Sequence, residues 1–146
     1  MSIAERLKEL GLEVPAANPG KLAPAVRTGN LVYTSGATSP LAGKVGADVT
    51  VEQAYAAARD AILGCLGSVQ WLMGDLEKVT RVVKLLGMVN CGEGFSNTPA
   101  VIHGATDTLI AIFGEERGWH ARSAIGVYQL PGNAAVEIEL IVEVAD

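Results

Sequence analysis

The sequence predicts an α+β fold, a single mixed sheet with two long helices on one face, its elements ordered β-β-α-β-α-β-β. Three observations predict it. From Val136 to Val144 the apolar residues take every even position while Glu137, Glu139 and Glu143 take odd ones, the alternation of a half-buried strand. Residues 79–90 are β-branched and apolar on both parities in the middle, as expected of a central strand covered on two sides. Two other stretches, from Thr50 to Gly74 and from Thr98 to Gly114, repeat their apolar residues at three- and four-residue steps.

Taken in order, Ser2 and Glu5 fit a capping box, Ile3, Leu7 and Leu10 share a face, and Gly11 ends a short helix over 2–11 that packs outside the domain. Residues 14–24, with Pro15, Pro19, Gly20 and Pro24, read as an extended connector. Strands follow over about 25–28 and 30–36, turning at Gly29-Asn30. Residues 40–46 form a loop. Thr50 and Gln53 make a second capping box, ahead of the stripe Tyr55, Ala58, Ile62, Leu66, Val69 and Met73, with Gly74 at the end.

Beyond the strand over 79–90 and a loop over 92–97, Thr98-Pro99 fits N-cap and N1 of a second long helix. Its stripe is Val101, Ala105, Leu109 and Ile112, and Gly114 closes it. The chain then reads as a hairpin turning at Gly132-Asn133. In that register Tyr128 faces Glu137, Arg122, Ala124 and Gly126 share the glutamate face, and Ile125 and Val127 join the apolar one. No internal repeat interrupts the sequence, so 1–146 reads as one domain, with 1–20 as its N-terminal helix and connector.

Of the 146 residues 49% are hydrophobic but only 5% aromatic, and Gly is abundant at 17, so the core must come from small aliphatic residues on closely approaching elements. Mean hydropathy is +0.31, yet no apolar run nears the roughly 18 residues of a membrane span. Subunit contacts would account for the excess, and two helices can cover only one face of a strand that is apolar on both. A net charge of −5, with eleven Lys and Arg scattered along the chain, argues against a nucleic-acid partner, because phosphate binding needs clustered cations. Cys65 and Cys91 belong to no metal-ligand spacing, and no cofactor fingerprint is present, so neither metal nor cofactor is expected. Free thiols without a leader-like opening point to the cytoplasm.

By pattern alone Arg122 reads as a solvated strand residue or as the partner of a strand glutamate. The run Ala121-Arg122-Ser123, with Leu130-Pro131 and Val136-Glu137-Ile138-Glu139, resembles the C-terminal signature of the YjgF/RidA family of reactive-intermediate deaminases. Gly29 to Gly36 resembles that family's N-terminal strand and the Ser-Gly after it. Pro24 to Asn30 and Val101 to Gly114 look like hallmarks of its longer, chorismate-mutase-like branch, often labelled endoribonuclease or translation initiation inhibitor. The resemblance covers roughly residues 20–144. It implies a homotrimer of chorismate-mutase-like fold, with clefts between subunits where small imine or enamine acids become keto acids and ammonia. Carried over residue by residue, Arg122 would bind the substrate carboxylate and Glu137 would handle water, while the backbone around Ser35, Gly36 and Ala124 would line the cleft.

The sequence departs from that family at Leu22, where many members have a tyrosine, at Ala124, where cysteine is usual, and at Gly126, where glutamate is frequent. A roomier and less polar pocket is the implied result. A nuclease would need general acid and base groups, for which His103 and His120 are the candidates. His103, near the start of the second long helix, is placed to reach a subunit cleft, and His120 reads equally as a strand-end surface residue. Trp119 either walls a pocket or covers an edge. The alternatives to a deaminase are a non-catalytic module that captures small carboxylates and, against the acidic composition, an endoribonuclease.

Overall fold

Both capping boxes form. Ser2 Oγ accepts from the Glu5 N–H at 3.1 Å while the Ser2 N–H donates to Glu5 Oε2 at 2.9 Å, and Thr50 and Gln53 repeat the exchange at 3.1 and 2.9 Å. They open α1 (Ile3–Leu10) and α2 (Val51–Met73) in the computed structural model, which describes residues 1–146. The third helix, α3 (Thr98–Gly118), differs from expectation at its start. Asn97 is its N-cap, because the Thr98 hydroxyl donates to the Ala124 carbonyl at 2.9 Å instead of capping. Gly114, at φ 82° and ψ 167°, is non-helical and closes the expected helix, and a short second helical stretch runs on to Gly118.

The strands are β1 (Ala25–Thr28), β2 (Leu31–Thr34), β3 (Ala37–Thr38), β4 (Val79–Asn90), β5 (Ala121–Val127) and β6 (Val136–Val144). They form one mixed sheet in the order β1-β2-β6-β4-β5, with β3 also paired to β6. Every pairing is antiparallel except β4 with β5. The even-numbered residues of β6 are all buried, in one cluster with Ile62 and Leu66 of α2 and Leu109 and Ile112 of α3. α2 buries more than its predicted stripe, since Ala54, Ala57, Ala61 and Cys65 are buried too. Small residues there let α2 and α3 pack on each other as well as on the sheet. Tyr55 is only half-buried, and its hydroxyl donates to Asp107 Oδ2 on α3 at 2.6 Å.

The expected C-terminal hairpin does not form. β4 lies between β5 and β6, so Arg122 stands opposite Leu85, Ala124 opposite Gly87, and Glu137 opposite Met88. A 3₁₀ turn at Pro131–Asn133 does reverse the chain, but within a crossover that spans about 10 Å, two strand spacings. The long apolar β4 takes partners along both edges, and fully buried Asn90 at its end ties the crossover down. Asn90 Nδ2 donates to Asn133 Oδ1 and to the Ala134 carbonyl, both at 3.0 Å, while Oδ1 accepts from Lys44 Nζ at 2.9 Å.

The register carried through β4 reverses the faces assigned to β5, because it aligns Arg122 with Leu85 and thence with Leu140. Residues paired across a register point the same way, so Arg122, Ala124 and Gly126 join Leu85, Gly87 and Val89 on the helix side. Ser123 and Ile125 lie on the open side with Glu137 and Glu139. The double apolar parity of β4 has two causes. A register shift between Val82 and Lys84 turns both Val82 and Leu85 inward, and Leu86 and Met88 lie half-buried on the face that no helix covers. Ile125, 45% exposed, extends that face.

Candidate functional site

Arg122 is delivered to the helix side of edge strand β5, and there it meets α3. His103 and Thr106 stand three residues apart and so share one face of that helix. Arg122 Nη1 donates to His103 Nδ1 at 2.9 Å and to Thr106 Oγ1 at 3.1 Å. A guanidinium has no acceptor, so His103 Nδ1 must offer a lone pair. No carboxylate pairs with Arg122; the ion pair in the chain joins Arg27 to Asp146 at 3.0 Å. Neither pattern-based reading therefore describes Arg122, which is half-buried and held by neutral groups.

His120 completes this cluster. Its Nδ1 faces the Gly118 carbonyl at 2.6 Å and therefore donates, which leaves Nε2 as acceptor for the Thr106 hydroxyl at 3.1 Å. Burial lowers the His120 pKa, and the nearby Arg122 charge lowers it further, against the opposing pull of the Gly118 carbonyl. The ring is thus held neutral. Thr106 was not singled out in the sequence, although its spacing from His103 was a signal that could have found it.

Glu137 belongs to a second group. Its side chain leans against Gly36, where an added Cβ would lie 3.0 Å from the carboxyl carbon. Burial first, and the neighbouring Glu139 charge second, raise the Glu137 pKa above its ordinary range. Ser35 donates to the Ala23 carbonyl at 2.6 Å and so pins the connector beside Gly36. There Ser35, Gly36, Pro15, Leu22 and Gly64 line a cleft of about 210 Å³. Leu22, 65% exposed, presents methyl groups at its rim.

Arg122 and Glu137, expected on one face, are on opposite faces of the sheet and one strand apart, because β4 separates β5 from β6. Ala124 stays near Arg122 on the helix side. Trp119, 68% exposed, adjoins the Arg122 group only through His120; with Leu31, Arg81, His120 and Glu143 it borders a cleft of about 600 Å³. Both thiols stay protonated, Cys65 pushed up to about 12 by burial and Cys91 raised by the same cause, which removes them as nucleophiles. No three His, Cys, Asp or Glu side chains gather around a common point, and no helix is long and apolar enough to cross a membrane.

The raised Glu137 pKa carries a stability consequence. The folded chain holds this proton more tightly than the unfolded one, so ionised Glu137 destabilises above its folded pKa, and the penalty disappears below the unfolded value of about 4.3. Glu137→Gln should therefore raise Tm at pH 7, with the gain shrinking as pH falls through the carboxylate range. Thermal melts at stepped pH check this, and a gain that grew on acidification would contradict it.

Over residues 4–144 the chain matches the family described as YjgF/chorismate mutase-like, putative endoribonuclease. The protein Atu1372 of Agrobacterium tumefaciens superposes with a TM-score of 0.89 at 42% identity, covering 98% of this chain and 92% of that one. A putative endoribonuclease from Shewanella oneidensis superposes at 0.92 with 32% identity, over 99% of this chain and all of its own. Protein TCP17 of Trypanosoma cruzi is 40% identical over 153 aligned positions, 97% of this chain and 93% of its own length.

Proposed function

The chain belongs to the YjgF/chorismate-mutase-like family, and on that premise we propose that it hydrolyses small reactive imine or enamine acids in a cleft between copies of itself. The observation that carries this reading is Arg122, a permanent cation on an edge strand with no acidic partner. Its remaining donors suit the two oxygens of a small carboxylate. Glu137, whose pKa is raised by burial and by the Glu139 charge, suits the taking and returning of a proton. Water adds to the C=N carbon as Glu137 takes one of its protons and returns it to the nitrogen. The hydroxyl proton of the resulting carbinolamine then passes by way of Glu137 to the nitrogen as the C–N bond breaks, which leaves ammonia and a keto acid.

Within one chain Arg122 and the Gly36–Glu137 group face opposite ways, so a joint site requires edge strand β5 of one copy beside the Gly36–Glu137 face of another. Half-buried Leu86, Met88 and Ile141 and exposed Ile125 on the uncovered sheet face favour such an assembly. Sedimentation at micromolar concentration should give a trimer, and monomer alone would overturn the shared cleft. An endoribonuclease reading has less support, since the chain carries a net charge of −5 and its cationic candidate is held by neutral side chains.

The activity test generates 2-iminobutyrate in situ with an amino-acid oxidase and traps it with semicarbazide. The protein should lower the trapped imine in proportion to its concentration. Keto-acid binding without that loss would replace the enzyme by a carboxylate-binding module.

A further inference from the structure

The guanidinium of Arg122 has five N–H donors, two on Nη1, two on Nη2 and one on Nε. Both Nη1 hydrogens are committed, one to His103 Nδ1 at 2.9 Å and one to Thr106 Oγ1 at 3.1 Å. Of the two edges able to grip a carboxylate side by side, the one that needs Nη1 is thereby closed. The edge formed by Nε and Nη2 has no partner within the chain.

We infer that His103, Thr106 and His120 are positioning residues for Arg122, which fix its guanidinium so that the Nε and Nη2 edge receives the substrate carboxylate. The assignment rests on the carboxylate-binding reading of Arg122 and adds which atoms bind and what orients them. The hydrogen bonds run in one direction. Arg122 Nη1 donates to Thr106, Thr106 donates to His120 Nε2, and His120 Nδ1 donates to the Gly118 carbonyl. The last acceptor is main chain at the end of α3, so the relay is anchored to the fold rather than to a mobile side chain. All these partners are neutral when the relay is intact. They orient Arg122 without cancelling the charge that a carboxylate needs, whereas an aspartate at either α3 position would do both. The lowered pKa of His120 fits its role as acceptor.

Two measurements on the full-length chain test this. The first is calorimetric binding of 2-oxobutyrate to wild type, Thr106→Val, Thr106→Ser and Arg122→Ala. Thr106→Val keeps the side-chain shape and removes the hydroxyl, and should weaken binding about tenfold, the size of one hydrogen bond to a charged group. Thr106→Ser restores the hydroxyl and should bind nearly as wild type does. In the imine assay Thr106→Val should raise KM far more than it lowers kcat, because carboxylate binding is the same in ground and transition states. A wild type and Thr106→Val that bind alike, while Arg122→Ala does not bind, would overturn the positioning role and leave the carboxylate site standing. Wild type that fails to bind would overturn the reading of Arg122 itself.

The second measurement needs no ligand. Long-range proton–nitrogen spectra should find the hydrogen of His120 on Nδ1 and that of His103 on Nε2, with the His120 nitrogens shifting in Thr106→Val and returning in Thr106→Ser. The opposite tautomer at either ring would overturn the relay, whatever the binding result.

Discussion

Arg122→Ala should lower imine hydrolysis by about a hundredfold or more in kcat/KM, since it deletes both charge-assisted hydrogen bonds to the substrate at once. Folding should be little affected. The side chain contributes only bonds to His103 and Thr106 at a half-buried edge, and it neutralises no buried carboxylate whose charge would be left behind. Arg122→Lys keeps the charge but replaces a planar fork by a point ammonium, so most activity should still be lost. The semicarbazide trap measures the rate, and circular dichroism with sedimentation reports fold and assembly. Equal removal of imine by wild type and Arg122→Ala would show that Arg122 does not carry the chemistry.

Gly104→Ala should be the most damaging single methyl group in the chain. An added Cβ there would overlap the Tyr55 carbonyl oxygen and lie 2.9 Å from the carbonyl carbon and 3.2 Å from the Cα of the same residue. These are main-chain atoms of α2, so relief requires the two helices to separate. Overpacking against backbone costs on the order of 3 kcal/mol, or a fall in Tm of about 10 °C for a chain of this length. Separation would also carry α3, and with it His103 and Thr106, away from Arg122. Activity should therefore fall together with stability. A melting temperature within two or three degrees of wild type, by about the same conversion, would mean that the helices yield more easily than close packing implies.

Most of the fold was legible in the sequence because it is written in local terms. Reciprocal caps at Ser2 and Thr50, glycines at 11 and 74, and the apolar stripes of α2 and α3 each act within a few residues, and all appear where the spacing places them. The Gly-rich, aromatic-poor composition likewise foretold the close approach that Gly104 now embodies. The misreading over 98–118 was small and has a tertiary cause. Thr98 found a better acceptor in the Ala124 carbonyl than its own helix offered.

The candidate site was legible only as a list of residues. Arg122 and Glu137 stand out by type and spacing in a C-terminal segment that reads as a hairpin, and the strand directions were right. What pattern could not supply was the insertion of β4, whose partners are distant in sequence and whose hydrogen bonds are the same for any side chains. A period-2 alternation specifies which residues share a face, but not which strand lies next to which, and a register off by one residue reverses every face assignment on the strand. That is why Arg122 lies against α3 and not against the glutamates. By itself the sequence determined the long helices and the main strands, the caps of α1 and α2, and the family signature. Only the tertiary structure decided that Arg122 is gripped by His103 and Thr106 with its Nε and Nη2 edge open, because a hydrogen bond between a helix and an edge strand exists only once the sheet order has brought them together.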